Sequence, residues 1–285
     1  MNNQKHILTL VDFSNESLKA LDFAIHIAEK INTKVDIINV IEGSSNGSNW
    51  NKSNNPIDGM FKYKLHKKNT ERLNYFKNKW EKSVYVGNTS VIASPLSALE
   101  ILDKMTTENE FLFLTLPYLQ HSAIEQYLTS NVILEILRNI KTPTLFVPEK
   151  AELSDWNDII FPSGFSEDVA PEFVELVNTI NKGFNAKLHL VKVIEEKNTN
   201  LKEIEAKIEG FAEKHKVSNY IVNSIESQDV EKALDIFQQS IKANLICMTT
   251  AGKSSISQLF FSNSITETML QKINKPILSL SIKNN

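Results

Sequence analysis

Short apolar runs alternate with longer segments of helical periodicity along the chain. The run "HILTLV" (residues 6–11) precedes a segment in which Leu18, Leu21, Ile25 and Ala28 share one helical face. The apolar runs do not alternate cleanly with polar residues, as expected for strands covered on both faces. Strands that alternate with helices need crossover connections, so the pattern predicts a mostly parallel sheet with helices on both faces.

This pattern occurs twice. The segment "HILTLVDFSNESLKALDFAIHIAEKINTKVDIINVIE" (6–42) resembles "DIIFPSGFSEDVAPEFVELVNTINKGFNAKLHLVKVIE" (158–195). Three later pairs follow in the same order: "SALEILDKM" with "KALDIFQQS", "NEFLFLTL" with "ANLICMTT", and "TPTLFVP" with "KPILSLS". Matches that keep their order indicate an internal repeat. The helical stripe of the second copy consists of Val169, Phe173, Val177 and Ile180.

Each copy predicts a small doubly wound α/β domain, with domain 1 at residues 1–150 and domain 2 at 151–285. The linker is "PEKAELSDW", and the short third strands are "SVYV" and "NYIV". Ser14 and Ser166 are expected to cap the first helix of each copy, and Glu167 and Asp168 suit its positive first turn. The insertion at 43–59, rich in Gly, Ser and Asn, predicts a disordered surface loop, with a lid as the alternative.

Composition narrows the class of protein. The 285 residues carry a net charge of −3, which predicts no nucleic-acid partner and no anionic-membrane partner. Cys247 is the single cysteine and stands in an apolar run, so it predicts a small buried residue in a reducing compartment. No stretch approaches a membrane span, and the first apolar run is too short for a signal peptide. These features predict a soluble cytoplasmic protein.

Four segments carry a family resemblance: "ILTLVDFSNESLKAL", "ICMTTAGKSSISQLFFSNSITETML", "KTPTLFVP" and "NKPILSL". On these residues the chain resembles the universal stress protein family in its tandem form. The resemblance implies two five-stranded parallel sheets in the strand order 3-2-1-4-5, an adenine-nucleotide alpha-hydrolase-like fold with pseudo-twofold symmetry. It also implies an intramolecular pseudo-dimer of the two domains, with a homodimer and an unidentified protein partner left open.

The resemblance also implies where a nucleotide would bind. In nucleotide-binding members an Asp ends the first strand, and a residue at the end of the second strand contacts the adenine. A Gly-x2-Gly-x9-Gly loop followed by Ser or Thr lies after the fourth strand, where bare backbone approaches the phosphates. The first copy keeps the Asp as Asp12 and has Val40 at the second-strand position. Its loop, "LPYLQHSAIEQYLTSNV" (116–132), contains no glycine.

The second copy departs from the pattern differently, because Gly164 stands where the Asp is expected. Its loop, "TTAGKSSISQLFFSNS" (249–264), keeps one glycine and is not a Walker A loop, since Cys247 occupies that motif's first glycine position. The residues that match the second-copy site, fully or by replacement, are Val193, Gly252, Lys253, Ser255, Ser262 and Asn263. Both copies are therefore expected to hold degenerate nucleotide sites.

Other candidate chemistry is sparse. His121 lies in the first copy's loop without an evident partner, and no histidine spacing predicts a metal site. The basic amphipathic segment 61–82 predicts a sheet-covering helix, with an acidic partner or a membrane surface as the alternative. The sequence therefore predicts a non-enzymatic, stress-linked regulatory or binding protein without a cofactor. Two alternatives stay open: weak binding of ATP, AMP or another anion by the second domain, and a small-molecule or lipid carrier.

Overall fold

The computed structural model describes two compact units, which divide between Thr142 and Pro143. The sequence-based domain boundary lay at residue 150. The structure describes residues 5–42, 56–80, 84–94, 96–118, 136, 140–165, 169–195, 200–249 and 274–280. None of the helices in these ranges is long and apolar enough to cross a membrane.

The first unit contains a parallel sheet in the order β3-β2-β1-β4, with helices between consecutive strands. Helix α1 packs on β1, β2 and β4, whereas α2 packs on β3 and α3 packs on β2. In chain order the elements are β1 (Ile7–Leu10), α1 (Asn15–Ile31), β2 (Val35–Glu42), α2 (Pro56–Trp80), β3 (Val86–Ser94), α3 (Ala98–Glu108) and β4 (Phe113–Tyr118).

The second unit contains the complete parallel order β8-β7-β6-β9-β10. Its elements are β5 (Thr144–Pro148), β6 (Asp158–Pro162), α4 (Pro171–Phe184), β7 (Lys187–Ile194), α5 (Leu201–Lys214), β8 (Tyr220–Glu226), α6 (Val230–Ser240), β9 (Leu245–Thr249) and β10 (Ile277–Leu280). Strand β5, which the repeat assigns to the first copy, pairs antiparallel with β10. The doubly wound α/β prediction is confirmed, and this unit shows the order 3-2-1-4-5.

The inner strands form the core of each unit, and their burial explains the apolar runs of the sequence, whereas no described side chain of the edge strands β3 and β8 is buried. All four residues of β1 and of β10 are buried. Cys247 is buried in β9 as predicted, and burial raises the pKa of its thiol, so no reactive thiolate is expected there. The predicted stripe of α1 was only partly right. Leu21 and Ala28 are buried, but Leu18 and Ile25 are half-buried.

Of the two predicted helix caps, one is confirmed. Ser14 caps α1, and its Oγ accepts a hydrogen bond from the Ser17 N–H at 3.1 Å. The prediction for Ser166 was wrong, because α4 begins at Pro171 with Ala170 at the N-cap position. Proline favours the first helical position and keeps the preceding residue out of the helix. Ser166, Glu167 and Asp168 lie outside the described residues, and Glu172 is the acidic residue in the first turn.

Two boundaries differ from the predictions. Helix α2 begins at Pro56, inside the predicted 43–59 loop, and residues 43–55 with Trp50 lie outside the described ranges. Strand β3 spans Val86–Ser94 instead of "SVYV", because an edge strand tolerates polar residues that hide it in the sequence. Helix α2 packs on β3, in agreement with the interpretation of a sheet-covering helix. Within this helix Leu73 is buried and Leu65 is half-buried.

Candidate functional site

Asp12 lies where the chain leaves β1, at the carboxyl-terminal edge of the first sheet. Its Oδ1 accepts hydrogen bonds from the Ser14 N–H at 2.9 Å and from Ser14 Oγ at 2.6 Å. The Asp12 N–H donates to Ser17 Oγ at 3.3 Å. One carboxylate oxygen of Asp12 is thus occupied by the turn that starts α1, an arrangement typical of Asp in turns.

Asn39 and Val40 reach the same edge from β2. The parallel register pairs Leu10 with Ile38, so that Asp12 and Val40 follow at the ends of neighbouring strands. Val40 is buried, and Asn39 donates through Nδ2 to the Val11 carbonyl at 2.7 Å. The structure therefore brings together both predicted site residues of the first copy, and it adds a buried amide beside them.

Helix α2 is bound to this edge by two polar contacts. Asn69 Nδ2 donates to Asn39 Oδ1 at 2.9 Å, so one amide ties the helix to the strand. The guanidinium of Arg72 lies 4.3 Å from the centroid of the Phe13 ring, within the range of a cation–π contact. Phe13 itself has a φ of 67°, a left-handed conformation that is uncommon for a bulky residue.

The second unit repeats this backbone geometry with different chemistry. Phe165 has a φ of 51° and occupies the position of Phe13, so the same left-handed turn follows the first strand of both copies. Gly164 occupies the position of Asp12. The single protein atom within 4 Å of a Cβ built on Gly164, apart from its chain neighbours, is Lys192 Nζ at 4.0 Å among the described atoms. The backbone therefore does not require glycine at this point.

Lys192 stands in β7 directly before Val193, as Asn39 stands before Val40 in β2. The lysine is half-buried on a strand whose neighbouring residues are buried. Burial lowers the pKa of Lys192 from its ordinary value, the positive charge of Lys207 lowers it further, and Glu195 opposes both effects. Within the described residues its ammonium makes no hydrogen bond and no ion pair.

Val193 is buried at the second-strand position, as Val40 is in the first copy. The predicted loop residues Gly252, Lys253, Ser255, Ser262 and Asn263 lie outside the described residues, as does His121. Sequence reasoning missed Asn39 and Lys192. The signal was available in the aligned second strands, where the residue before the second-strand valine is an asparagine in one copy and a lysine in the other.

Sequence reasoning also missed a pair of His–Asp contacts at the opposite, amino-terminal edge of the sheets. His6 Nδ1 lies 2.9 Å from Asp36 Oδ1 in the first unit. Asp158 Oδ1 lies 2.9 Å from His189 Nε2 in the second. The repeat aligns His6 with Asp158 and Asp36 with His189, so the contact is kept while the residue types are exchanged. This exchange was visible in the aligned sequences.

The contact between His6 and Asp36 lies beside a bulge in β3. The Asn88 N–H donates to Asp36 Oδ1 at 2.8 Å, and the register shifts between Val35 and Ile37. A Cβ on Gly87 would lie 2.3 Å from Asp36 Oδ1, so this glycine is required by a close approach. A cavity of about 420 Å³ opens beside the pair, lined by Lys5, His6, Asp36, Glu108, Asn109, Glu110 and Phe111.

This cavity is not at the predicted site, because ligands in open α/β sheets lie beyond the carboxyl ends of the strands. One of its acidic groups is already paired, since Lys5 Nζ lies 3.0 Å from Glu110 Oε2. In the part of the chain that the structure describes, no group of three or more His, Cys, Asp or Glu side chains could hold a metal ion. The carboxyl-terminal edges therefore remain the candidate site.

The fold defines a protein with two doubly wound α/β units, each with a candidate site at the carboxyl-terminal edge of its sheet. Residues 3–91, within the first copy, match the model of the universal stress protein family. The resemblance drawn from the sequence is confirmed. Among curated proteins, none matches the chain at a significant level of sequence similarity.

Solved structures resemble the chain over nearly its whole length. A universal stress protein from Archaeoglobus fulgidus superposes with a TM-score of 0.71 at 17% identity, over 97% of this chain and 98% of that one. A protein of unknown function from Pseudomonas aeruginosa gives 0.61 at 12% identity, over 97% and 92%. The cytoplasmic domain of a prokaryotic cation chloride cotransporter gives 0.56 at 13% identity, over 98% and 96%. At these identities the likeness defines the fold.

Proposed function

We propose that this chain is a stress-response regulatory protein that binds a partner or ligand without catalysis, and that its adenine-nucleotide sites are degenerate in both copies. The observation that carries the proposal is the charge reversal at the second carboxyl-terminal edge. Where the family pattern has an acidic acceptor for the nucleoside, this unit has Gly164 and the ammonium of Lys192. An ammonium donates hydrogen bonds but accepts none, so a ribose hydroxyl loses its acceptor.

The first unit supports the proposal in another way. Asp12 is present, but its Oδ1 accepts two hydrogen bonds from Ser14. The loop that follows β4 has no glycine between residues 116 and 132, so bare backbone for phosphate contacts is missing from its sequence. Each copy thus lacks a different part of the family's nucleotide-binding pattern.

A non-catalytic role fits the titratable groups that the described structure brings together. The two His–Asp contacts lie at the amino-terminal edges, away from the edge where ligands bind in such sheets. The alternatives of a second-domain nucleotide binder and of a small-molecule or lipid carrier depend on residues outside the described ranges. We place the protein in the cytoplasm on its family type and on its single cysteine.

Titration of the full chain with ATP and magnesium, AMP and adenosine tests this proposal, with Asp12→Ala and Gly252→Val as site variants. We expect no binding of adenosine and no dissociation constant for ATP below about 1 mM. Micromolar binding of ATP that is lost in either variant would overturn the proposal, because an intact nucleotide site would then exist. Isothermal titration calorimetry provides the measurement.

A further inference from the structure

We propose that the chain associates with a second copy of itself through the outer edge of β8, the two strands pairing antiparallel about a twofold axis at Asn223. The sheet of the second unit has two ends. At one end β10 is paired with β5, whereas at the other end β8 is bonded only to β7 among the described residues. This interaction surface does not depend on whether the nucleotide sites are intact.

The backbone of β8 presents a row of hydrogen-bonding groups along this edge. The Leu188 N–H donates to the Asn219 carbonyl at 2.9 Å, and the Ser227 N–H donates to the Ile194 carbonyl at 3.0 Å. Since the register of β7 on β8 is continuous between these bonds, every second residue from Asn219 to Ser227 directs its backbone groups to β7. The backbone groups of the residues between them point outward: Tyr220, Val222, Ser224 and Glu226. Such a row is a template for a further strand.

The β8 edge lacks features that commonly protect an edge strand. Its sequence, YIVNSIE, contains no proline and no lysine, and its one charged residue is Glu226 at the end. The outer strand of the first unit is different, because the register of β3 on β2 shifts where Gly87 and Asn88 face Asp36. Bulges and charges keep edge strands from pairing, so of these two edges β8 is the one suited to a partner strand.

The apolar side chains of β8 are not fully buried within one copy. Ile221 is 41% exposed, and Tyr220, Val222 and Ile225 are half-buried, although α5 packs on this strand. A partner strand would cover these side chains while it pairs with the backbone, because cross-strand neighbours lie about 4.5–5.5 Å apart between their Cβ atoms. The edge therefore offers apolar area as well as hydrogen bonds.

The outward backbone groups of β8 are self-complementary, which favours a second copy as the occupant. In antiparallel pairing about Asn223, Val222 lies opposite Ser224 of the second copy. In the same register Tyr220 lies opposite Glu226. Every outward N–H then meets an outward carbonyl, and the twofold axis repeats each contact.

The side chains fit the same register. Ile221 lies opposite Ile225 of the second copy, which gives an apolar cross-strand pair on each side of the axis. The two Glu226 carboxylates lie at opposite ends of the paired strands, so the pairing brings no like charges together. An antiparallel pair of β8 strands thus combines backbone bonds, apolar contacts and the absence of charge repulsion.

Sedimentation velocity of the full chain tests the proposal over a concentration series. We expect a reversible dimer with a dissociation constant of about 1–100 µM, as for a small transient interface. Val222→Pro removes an outward N–H and places ring atoms in the path of the partner strand, so it should abolish the dimer. Ile221→Lys adds a charge to the edge and should weaken the dimer about tenfold or more.

Folding and general charge are controlled separately. The Val222 N–H is not part of the ladder to β7, so Val222→Pro should keep the fold, which circular dichroism checks. Ile221→Lys carries the test if Val222→Pro does not fold. Ile236→Lys is the matched control, since Ile236 is 58% exposed on α6, which packs on the inner strand β7. This variant should dimerise as the wild type does.

A cysteine at the axis tests the register. In the proposed pairing, residue 223 faces its own copy in a non-hydrogen-bonded pair, within reach of a disulfide. Ile221→Cys is the control, because the two copies of that residue would lie about 13 Å apart along the strands. The native Cys247 is buried and should not react. We expect Asn223→Cys to form a covalent dimer in a glutathione buffer about tenfold or more faster than Ile221→Cys.

Each outcome decides the proposal. A concentration-dependent dimer that both edge variants disrupt and Ile236→Lys preserves supports it, as does the Asn223→Cys cross-link. A chain that stays monomeric up to about 500 µM overturns it, whether or not a strand of a different protein binds this edge. A dimer that both edge variants preserve also overturns it, because another surface then forms the contact. Faster cross-linking of Ile221→Cys than of Asn223→Cys overturns the antiparallel register and with it the self-complementary pairing.

Discussion

Asp158 Oδ1 lies 2.9 Å from His189 Nε2, and the first copy repeats this contact with the residue types exchanged, as His6 and Asp36. In each unit the contact joins the first strand to the second at their amino-terminal ends. The His189 side chain is 8% exposed, and its ring meets Phe237 edge-on with centroids 5.8 Å apart. The His189 ring is therefore part of the packed structure, and both copies have the contact although the residue types are exchanged between the strands.

Removal of this contact should destabilise the protein. We expect His189→Ala to lower the free energy of unfolding by about 1–3 kcal/mol, because Asp158 loses its partner and the core loses a packed ring. A double-mutant cycle with Asp158→Ala should give a coupling energy of about 0.5–3 kcal/mol in urea denaturation. The exposed pair Lys104 and Glu108, 3.9 Å apart on α3, is the control and should give about 0.5 kcal/mol or less. Equal coupling in the two cycles would contradict the structural role.

The glycine beside Asp36 gives a second prediction. Gly87→Ala places a Cβ 2.3 Å from Asp36 Oδ1 and 3.2 Å from His6 Nδ1, so it should lower the free energy of unfolding by about 1–3 kcal/mol. Gly210→Ala, inside α5, is the matched control, because no described atom outside the backbone of its own helix and its chain neighbours lies within 4 Å of its Cβ. That control should stabilise the protein by about 0.5–1 kcal/mol. Denaturant unfolding measures both, and a neutral Gly87→Ala would show that the bulge accommodates a side chain.

The turn that holds Asp12 gives a third prediction. Ser14→Ala removes the hydrogen bond that Ser14 Oγ accepts from the Ser17 N–H and the one that it donates to Asp12 Oδ1. This loss of the α1 N-cap should lower the free energy of unfolding by about 0.5–2 kcal/mol. Ser240→Ala, at the exposed end of α6, is expected to change stability by less than about 0.5 kcal/mol. Asp12 Oδ1 keeps the hydrogen bond from the backbone N–H of residue 14 and loses the one from Ser14 Oγ. This loss should not create ATP binding, because the glycine-free loop is unchanged. ATP binding gained by Ser14→Ala would show that this turn, and not the loop, blocks the first site.

The pH dependence of stability tests the environment of Lys192. Its pKa in the folded protein is below the ordinary 10.5, mainly because of burial. The unfolded chain therefore binds more protons between these two values, and stability gained from this group rises with pH towards 10.5. Relative to Lys192→Met, the wild type should be less stable at pH 7 and should recover part of the difference by pH 10. Urea denaturation at both pH values measures this difference, with Lys187→Met as the exposed control. Equal pH profiles of the wild type and Lys192→Met would contradict a partly desolvated ammonium.

The sequence predicted those features of the fold that depend on residues close to one another along the chain. Ser14 was predicted as a cap because a capping side chain accepts a hydrogen bond from the backbone amide three residues further along the chain. The structure confirms this bond, from the Ser17 N–H to Ser14 Oγ. The cap of α4 was missed because Pro171 outweighs Ser166 as the start of that helix. Strand β3 was predicted at residues 83–86 and lies at Val86–Ser94, because its edge position removes the need for apolar residues that would mark it in the sequence.

The chemistry of the candidate site depended on contacts between distant residues. The sequence by itself determined the repeat, the parallel doubly wound class and the absence of the Asp from the second copy, since these follow from residue order and periodicity. Only the tertiary structure decided that the turn occupies Asp12 Oδ1 and that Lys192 Nζ lies beside Gly164. Gly164 and Lys192 are brought together by the register of β6 on β7, which is set when the sheet forms and cannot be read from either strand alone.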